Sequence, residues 1–266
     1  MDLSQKKLFL LDMDGTLYLD EHLFDGAREF LDCVRSLGGK YLFLTNNSSR
    51  GVEAYVEKMA RLGVDASPSD FLTSVDASIA YLHRQGKEQS LLYVFGTESL
   101  RSQLRQAGFQ VSGVRSDEVD TLLCGFDTEL TFQKLEDACI LLNRGVDYIA
   151  TNPDWVCPTW YGSVPDCGSV CEMLRRATGR SPKVIGKPQP EMALLAMERT
   201  GYAPEETLLI GDRIYTDIAC ALNAGVDAAL VLSGESTLET VARSELRPTA
   251  VYRDIREIWE RLRDIS

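Results

Sequence analysis

Short apolar runs alternate with amphipathic stretches along most of the chain. The runs are continuous rather than alternating in polarity, which is typical of strands buried on both faces of a parallel sheet. Residues that favour turns follow many of them. Strands are therefore predicted at residues 8–11, 40–44, 91–95, 121–124, 147–150, 183–185, 207–210 and 228–232.

The stretches between these runs place apolar residues three or four positions apart, as on one face of a helix. Helices are predicted at residues 51–62, 98–107, 132–143 and 190–200. Strands that alternate with helices indicate an α/β fold whose strands are mostly parallel and joined by right-handed crossovers. We therefore expect a Rossmann-like parallel sheet core with a smaller α/β domain inserted into it.

The domain boundaries are predicted from two glycine-bearing segments, 84–87 and 179–182, which are the best candidates for linkers. They bracket an inserted module of roughly a hundred residues. The expected domains are therefore residues 1–82 together with 182–266 for the core, and residues 83–181 for the insertion.

Composition and charge narrow the classes of function. The 266 residues are 44% hydrophobic and 26% charged, as in a globular protein. The formal net charge of −12 argues against nucleic acid or an anionic membrane as a partner, since both favour basic proteins. No apolar run approaches the length of about 18 residues that a membrane span requires. Residues 1–6 lack an apolar signal core, so a cytoplasmic protein is expected.

Seven cysteines are scattered along the chain, mostly inside apolar segments. Cys167 and Cys171 have a spacing found in metal sites. However, the chain has only two histidines, His22 and His83, and no second close pair of cysteines. Reduced thiols are therefore expected rather than a zinc site.

Two carboxylates lie where the first predicted strand ends. Asp12 and Asp14 follow the apolar run at 8–11, and Gly15 lets the backbone turn sharply away. Ligands of open α/β sheets bind beyond the carboxyl ends of the strands. Paired carboxylates at such a place suit a metal ion, a nucleophile with an acid, or both. An ordinary polar turn would use the same residue types.

Polar residues follow three more predicted strands in the same way. The segment 45–49 offers hydroxyls, amides and backbone N–H groups to a phosphate, although such residues also cap ordinary helices. Lys187 can reach a phosphate as a point charge, although a lone lysine is more commonly solvated. Asp212 can complete an oxygen-rich Mg²⁺ site, and Asp217 follows it by five residues (217 − 212). Each signal is weak alone, but their joint occurrence on successive strand ends predicts a site for a phosphate and a metal ion.

The four motifs, in this order, resemble those of the haloacid dehalogenase-like (HAD) phosphohydrolases. Thr45 follows Asp12 by only 33 residues (45 − 12), which leaves no room for a domain between the first two motifs. Lys187 follows Thr45 by 142 residues (187 − 45), which is enough for a cap domain. This arrangement is similar to that of the NagD-like, class IIA subfamily. The matching stretches are Asp12-Met13-Asp14-Gly15-Thr16, Thr45-Asn46-Asn47, Lys187-Pro188 and Gly211-Asp212-Arg213 with Asp217.

The resemblance implies a Mg²⁺-dependent phosphatase that hydrolyses small phosphate monoesters. Sugar phosphates and nucleoside monophosphates are examples, with p-nitrophenyl phosphate as a substrate in vitro. Asp12 would be the nucleophile that forms an aspartyl-phosphate, and Asp14 the general acid and base. Mg²⁺ is expected on the Asp12 carboxylate, the Asp14 backbone carbonyl and Asp212, with Asp217 supporting these ligands.

The resemblance also assigns the groups that bind the substrate's phosphate. Thr45, Asn46 and Lys187 are expected to hold the phosphoryl oxygens. The expected partner is a small phosphorylated metabolite. A homodimer is a candidate assembly, because caps of this subfamily often form dimer contacts.

Substrate choice is expected to lie in the cap, which covers the site and excludes water. The stretch 125–132 is similar to one typical of the subfamily. Asp154, Trp155 and Asp166 are candidate substrate contacts, although the aromatic residues of segment 154–161 also suit packing within the cap or against the core. Asp166 stands where the subfamily pattern has glycine, which leaves the shape of that loop open.

Other classes of protein fit the sequence less well. A dinucleotide-binding oxidoreductase needs a G-x-G-x-x-G fingerprint after a strand, and the chain has none. A phosphate-receiver regulatory protein shares the acids and the lysine but needs no large insertion. Two alternatives remain open: a phosphotransferase or mutase that uses the same aspartyl-phosphate, and a catalytically silent regulatory protein that binds a phosphorylated ligand.

Overall fold

Strands and helices alternate along the chain, and the computed structural model describes residues 1–159 and 161–264. The strands are β1 (Leu8–Asp12), β2 (Tyr18–Leu19), β3 (His22–Leu23), β4 (Lys40–Thr45), β5 (Phe71–Thr73), β6 (Leu91–Phe95), β7 (Gln110–Ser112), β8 (Val119–Cys124), β9 (Asp147–Ala150), β10 (Val156–Thr159), β11 (Gly162–Pro165), β12 (Lys183–Val184), β13 (Thr207–Gly211), β14 (Asp227–Val231) and β15 (Ala250–Tyr252). The helices are α1 (Ala27–Ser36), α2 (Val52–Arg61), α3 (Ser74–Arg84), α4 (Glu98–Gln106), α5 (Phe132–Arg144), α6 (Cys167–Thr178), α7 (Glu191–Thr200), α8 (Ala219–Ala224), α9 (Leu238–Arg243) and α10 (Ile255–Arg263).

The chain folds into two units, each with its own sheet. The first unit comprises Met1–Thr45, Val52–Leu72 and the chain from Lys187 onwards. The second comprises Asn46–Gly51 and Thr73–Gly186. Helix α3 and strand β12 therefore belong to the second unit, and β12 pairs there with β9.

The sheet of the first unit has the strand order β15-β14-β13-β1-β4-β5. Strand β1 lies between β13 and β4 and pairs in parallel with both, so that Asp12 is level with Leu44. The carboxyl ends of three neighbouring strands therefore meet at one end of the sheet. Thr45 ends β4 there, and Asp212 directly follows β13.

Large apolar side chains fix β1 in the first unit. Phe9 of β1 packs edge-on against Phe30 of α1, with ring centroids 5.5 Å apart and an interplanar angle of 86°. Phe43 of β4 and Ile258 of α10 belong to the same buried cluster. Because β1 is buried on both faces, the strand that ends in Asp12 is held rigidly.

The second unit has a smaller parallel sheet in the order β12-β9-β8-β6-β7. Leu141 of α5 and Leu174 of α6 pack against it in one buried cluster. Strands β10 and β11 form a separate antiparallel hairpin. Trp160, part of the aromatic segment noted in the sequence, lies outside the described residues.

The α/β fold class predicted from the sequence is confirmed. Strands β6 and β9 have the predicted bounds, and helices α2, α4, α5 and α7 lie within two residues of their predicted ends. Strands β5, β7 and β15 were not predicted, because three residues are too few to form a recognisable apolar run. Within the described part of the chain, no helix is both long enough and apolar enough to span a bilayer.

The first prediction concerns the core beneath β1. Replacing the fully buried Leu11 by alanine should lower the free energy of unfolding by about 2–5 kcal/mol, because it removes buried apolar atoms and leaves a cavity. Urea unfolding followed by circular dichroism measures this change. Leu37→Ala, at a half-exposed position after α1, is the matched control and should stay within about 0.5 kcal/mol. Equal effects of the two substitutions would contradict the packing described here.

Candidate active site

Three carboxylates converge at the carboxyl end of the first unit's sheet. Asp12 ends β1 and Asp212 follows β13. Asp217 lies in a π-helical turn, Ile214–Ile218, that leads into α8. One carboxylate oxygen of each residue lies within 4.8 Å of the other two. Asp212 and Asp217 are buried, so their negative charges need compensation from nearby groups.

Lys187 supplies part of this compensation. Its Nζ donates hydrogen bonds to Asp12 Oδ1 at 2.5 Å and to Asp217 Oδ1 at 2.6 Å, and the side chain is buried. Burial alone lowers the pKa of Lys187, but the Asp12 and Asp217 carboxylates outweigh it and the pKa is raised overall. The lysine is therefore a charged, buried member of the cluster rather than a solvated surface residue.

Both carboxylate oxygens of Asp217 accept hydrogen bonds from protein groups. Its Oδ1 accepts the hydrogen bond from Lys187, and its Oδ2 accepts one from the backbone N–H of Arg213 at 3.1 Å. The carboxylate therefore fixes the position of the lysine and the start of the π-helical turn. This placement agrees with the supporting role expected for Asp217.

Lys187 and the nearby Arg213 guanidinium carry two positive charges, which do not balance the three carboxylates. Burial, followed by the neighbouring Asp217 carboxylate, raises the pKa of Asp12 well above its ordinary value, and Lys187 opposes this rise. The same two causes raise the pKa of Asp212 to about 6. Further positive charge at this place would lower both pKa values and favour the ionised carboxylates.

The oxygen atoms of the cluster fit a magnesium ion. Asp212 Oδ2 accepts a hydrogen bond from the backbone N–H of Glu235 at 2.7 Å. Its Oδ1 is buried and has no hydrogen-bond partner among the described residues. Leaving a buried carboxylate oxygen without a partner is costly, and Mg²⁺ prefers such oxygens together with water and phosphate oxygens. Asp12 and Asp212 are therefore the side chains that would hold the ion.

Two glycines let backbone segments approach the Asp212 carboxylate. Gly15 has a φ of +84°, and a Cβ atom there would lie 2.6 Å from Asp212 Oδ2. A Cβ atom on Gly234 would lie only 2.0 Å from the same oxygen. The two segments are tied together by Ser233, whose Oγ donates a hydrogen bond to the Gly15 carbonyl at 2.8 Å. No larger side chain fits at either glycine without displacing the carboxylate.

Asp14 has a different environment from Asp12. Its side chain is 54% exposed, and its nearest cation is Lys58, with Nζ 3.5 Å from Oδ1. The Tyr18 hydroxyl donates a hydrogen bond to Asp14 Oδ2 at 3.3 Å, and Lys58 lies over the Tyr18 ring. The two carboxylates thus have separate surroundings: the Asp12 side chain lies in the acid cluster and is 17% exposed, whereas Asp14 is open to solvent. Such a difference suits two different chemical roles.

The expected phosphate-binding residues fall into both units. Thr45, in the first unit, ends β4 beside the end of β1. Asn46 belongs to the second unit, where its Nδ2 donates a hydrogen bond to Asp154 Oδ2 at 3.0 Å. Asn152 donates to the same oxygen, also at 3.0 Å. The structure thus joins Asn46 and Asp154, two residues singled out from distant parts of the sequence.

The two remaining cap candidates differ in exposure. Trp155 is 60% exposed. Asp166 is buried and caps the N-terminus of α6, where its Oδ1 accepts hydrogen bonds from the backbone N–H of Cys167 and from Asn152. Its φ of −108° is ordinary extended backbone, so the loop does not require glycine at this position.

The sequence interpretation missed the segment 233–235. Ser233 Oγ donates a hydrogen bond to the Gly15 carbonyl, and the backbone N–H of Glu235 donates one to Asp212. Gly234 has no side chain and therefore leaves room for the Asp212 carboxylate. The available signal was the predicted strand at 228–232, whose carboxyl end lies at the same end of the sheet. Lys58 was missed as well, because it lies in the last turn of α2 and belongs to no motif.

Comparisons with known proteins agree with this arrangement. A sequence model described as haloacid dehalogenase-like hydrolase matches residues 9–110, and one described as HAD-hydrolase-like matches residues 184–258. The acid sugar phosphatase of Staphylococcus aureus is 34% identical over 255 residues, which cover 96% of this chain and 97% of that protein.

Several solved structures of phosphatases and of a nagD protein are also similar to this chain. A 4-nitrophenylphosphatase from Thermotoga maritima is similar with a TM-score of 0.91 and 38% identity, over 97% of this chain and 98% of that chain. A nagD protein has a TM-score of 0.89 and 36% identity, over 96% and 98%. The glycerol phosphate phosphatase of Mycobacterium tuberculosis, solved in complex with magnesium, has a TM-score of 0.89 and 29% identity, over 97% and 78%.

The close approach of Gly234 to Asp212 gives a test of the metal site. Gly234→Ala should weaken Mg²⁺ binding by at least about tenfold, because the new methyl group displaces a ligand carboxylate. Isothermal titration calorimetry measures the affinity. Gly113→Ala is the control, since a Cβ there would meet only the Arg101 side chain, at 3.3 Å. Undiminished affinity in Gly234→Ala would show that Asp212 does not hold the ion in this position.

The raised pKa of Asp212 predicts how metal-free stability depends on pH. The folded pKa of about 6 exceeds the ordinary value of 3.8, so the stability contribution is present at low pH and is lost as pH rises through 6. In EDTA the melting temperature should therefore fall as the pH rises from about 4 to about 6, and saturating Mg²⁺ should reduce this fall. Thermal melts with and without Mg²⁺ measure it. Asp212→Asn should flatten the metal-free profile, and an unchanged profile would contradict the assignment.

Proposed function

The chain belongs to the haloacid dehalogenase-like hydrolases, and from this premise we propose that it is a Mg²⁺-dependent phosphatase. It hydrolyses small phosphate monoesters through an aspartyl-phosphate intermediate. The NagD-like spacing of its four motifs agrees with its likeness to a nagD protein and to phosphatases along nearly the whole chain.

One observation supports this proposal more strongly than any other. Lys187 bridges Asp12 and Asp217 in a buried cluster that also contains Asp212, at the carboxyl end of a parallel sheet. The cluster holds the groups that phosphoryl transfer needs: a carboxylate to attack phosphorus, a fixed cation, and oxygen donors for a metal ion. Magnesium held by Asp12 and Asp212, with the Asp14 backbone carbonyl as the expected further ligand, would neutralise charge on the phosphoryl oxygens.

The first chemical step uses Asp12 and Asp14. An Asp12 carboxylate oxygen attacks phosphorus, and the bond between phosphorus and the alcohol oxygen breaks. Asp14 donates its proton to that oxygen as the alcohol leaves. Asp14 suits this role because its carboxyl group is open to solvent and to substrate, whereas Asp12 is held by Lys187.

The second step reverses the role of Asp14. It takes a proton from a water molecule, whose oxygen attacks phosphorus and breaks the bond to Asp12. Inorganic phosphate leaves, and both carboxyl groups return to their starting states. Thr45, Asn46 and Lys187 are proposed to hold the phosphoryl oxygens during both steps, as hydroxyl, amide and ammonium donors.

The proposed substrates are small phosphorylated metabolites. Sugar phosphates and glycerol phosphate are the preferred candidates. This choice follows the relatives named as acid sugar phosphatase and glycerol phosphate phosphatase. Nucleoside monophosphates remain in the substrate class. Asp154 and Trp155 are proposed to contact the leaving group, since Asp154 is bonded to Asn46 and Trp155 is exposed beside it.

The compartment and the assembly are further proposals. We propose a cytoplasmic protein, in agreement with the absence of any disulfide bond among the described residues. A homodimer formed through the cap remains the candidate assembly, and sedimentation equilibrium tests it. The acidic net charge of −12 supports neither a nucleic acid nor an anionic membrane as a partner.

The decisive test is Mg²⁺-dependent phosphate release from p-nitrophenyl phosphate. Asp12→Asn should lower kcat by more than about 1,000-fold, because it removes the nucleophile. Asp14→Asn should lower it by about 100- to 10,000-fold, because it removes the proton donor. EDTA should abolish release, and added Mg²⁺ should restore it. Asp20→Asn is the matched control, since Asp20 is exposed and its φ of 51° suits asparagine equally well.

Other outcomes would favour the alternatives. A panel of sugar phosphates, glycerol phosphate and nucleoside monophosphates follows the first assay. No release from any of them, in folded protein that binds Mg²⁺, would contradict the phosphatase and favour a silent binding protein. Transfer of phosphate to an added alcohol in preference to water would favour a phosphotransferase.

A further inference from the structure

Three thiols come together in the second unit, whereas the acid cluster belongs to the first unit. Cys124 ends β8, and Cys167 and Cys171 lie on the first turns of α6. Cys167 Sγ lies 3.9 Å from Cys124 Sγ and 3.9 Å from Cys171 Sγ. All three sulfur atoms lie within 4.8 Å of one another, and all three residues are buried.

Local structure explains this convergence. Cys167 and Cys171 are four residues apart on one helix and therefore lie on the same face of it. That face packs on the sheet at the end of β8, in the buried cluster that contains Cys124. Cys167 is the first residue of α6, and hydrogen bonds from the Cys124 and Cys167 thiols lower the pKa of Cys171 below its ordinary value.

The sulfur separations match those around a single bound cation. A zinc–sulfur bond is about 2.3 Å long, so two thiolates on one tetrahedral or trigonal ion lie about 3.8–4.0 Å apart. Both measured separations from Cys167 are 3.9 Å. Soft thiolate ligands select thiophilic cations such as Zn²⁺ and Cu⁺ over Mg²⁺.

A buried hydroxyl group points to the same place. Tyr148 of β9 is buried with the three cysteines, and its Oη interacts with the Cys171 thiol. Burial and then the Cys124 and Cys171 thiols raise the pKa of Tyr148, so the hydroxyl lies beside them. Such a group in an apolar core is costly unless it meets a ligand or a thiolate acceptor.

The cluster can be reached from solvent. Cys171 lines a cleft of about 230 Å³ together with Gly168, Trp155 and Arg175. Cys167 and Cys124 do not line this cleft, and Cys167 Sγ lies 3.9 Å from both other sulfur atoms. A cation that enters the cleft meets Cys171 first and then the other two thiols.

We propose that Cys124, Cys167 and Cys171 form a binding site for one thiophilic cation of the Zn²⁺ and Cu⁺ class, with the Tyr148 hydroxyl beside it. Binding releases the three thiol protons to solvent and involves no change of oxidation state. The site is separate from the acid cluster and does not depend on the proposed phosphatase activity. It stabilises the second unit by joining α6 to β8.

The test uses Cd²⁺ as the probe, because thiolate-to-cadmium charge transfer gives an ultraviolet band that oxygen ligands do not give. The full chain is kept reduced, and excess Mg²⁺ occupies the carboxylates. We expect the band to saturate at one Cd²⁺ per chain and the melting temperature to rise. Cys167→Ala should abolish the band, and Cys139→Ala, a half-buried cysteine on α5 outside the cluster, should leave it unchanged.

Two results would overturn the proposal. One is the absence of a band with excess Cd²⁺, and the other is a band that survives Cys167→Ala. If that variant does not fold, the alkylation rate of each cysteine in the unsubstituted protein, followed by mass spectrometry with and without Cd²⁺, decides instead. The three buried thiols react only when the second unit opens, so Cd²⁺ should slow their alkylation at least about tenfold more than that of the half-buried Cys139. Equal effects of Cd²⁺ on all four cysteines would count against the site.

Discussion

The candidate active site depends on one buried ion pair network. Lys187 holds Asp12 and Asp217 at hydrogen-bond distance, and without its charge two carboxylates would face each other in a low-dielectric interior. The arrangement ties together three separate parts of the chain: the first strand, the segment before α7 and the turn before α8. The network carries excess negative charge, because Asp212 adds a further acid, one of whose oxygens has no hydrogen-bond partner among the described residues. A hydrolase that needs a divalent cation can leave this excess for the cation to balance.

The sheet makes this network possible. Because β1 lies between β13 and β4, Asp12, Asp212 and Thr45 all lie at the same end of the sheet. Their sequence separations are large, but the parallel register makes them neighbours. Family relatives with TM-scores near 0.9 share this framework, and they are named for different phosphate esters. The acid cluster is thus built on a framework that this chain shares with phosphatases.

The sequence predicted the fold and the motifs of the site better than it predicted contacts. Strands such as β6 and β9 are buried on both faces and leave continuous apolar runs that are easily recognised. The rule that ligands bind at the carboxyl ends of strands was enough to single out Asp12, Lys187 and Asp212. It could not show that Lys187 also bonds to Asp217, because that contact depends on a π-helical turn.

Other features leave no mark in a single sequence. The backbone N–H of Glu235 holds Asp212 whatever its side chain. Cys124 lies 43 residues from Cys167, so the helical pair was visible and its third member was not. Contacts of this kind depend on tertiary packing.

The glycines around the carboxylates have a consequence for how the protein can change over evolution. A Cβ atom on Gly15 or Gly234 would strike Asp212, and one on Gly211 would lie 2.3 Å from Asp217. None of these glycines takes part in the chemistry. In a saturation mutagenesis experiment they should nevertheless tolerate substitution as poorly as Asp12 does, because any side chain at these positions displaces an acid of the cluster. At these three positions the sequence is therefore constrained by the space that the carboxylates occupy, and not by a functional group of the residue itself.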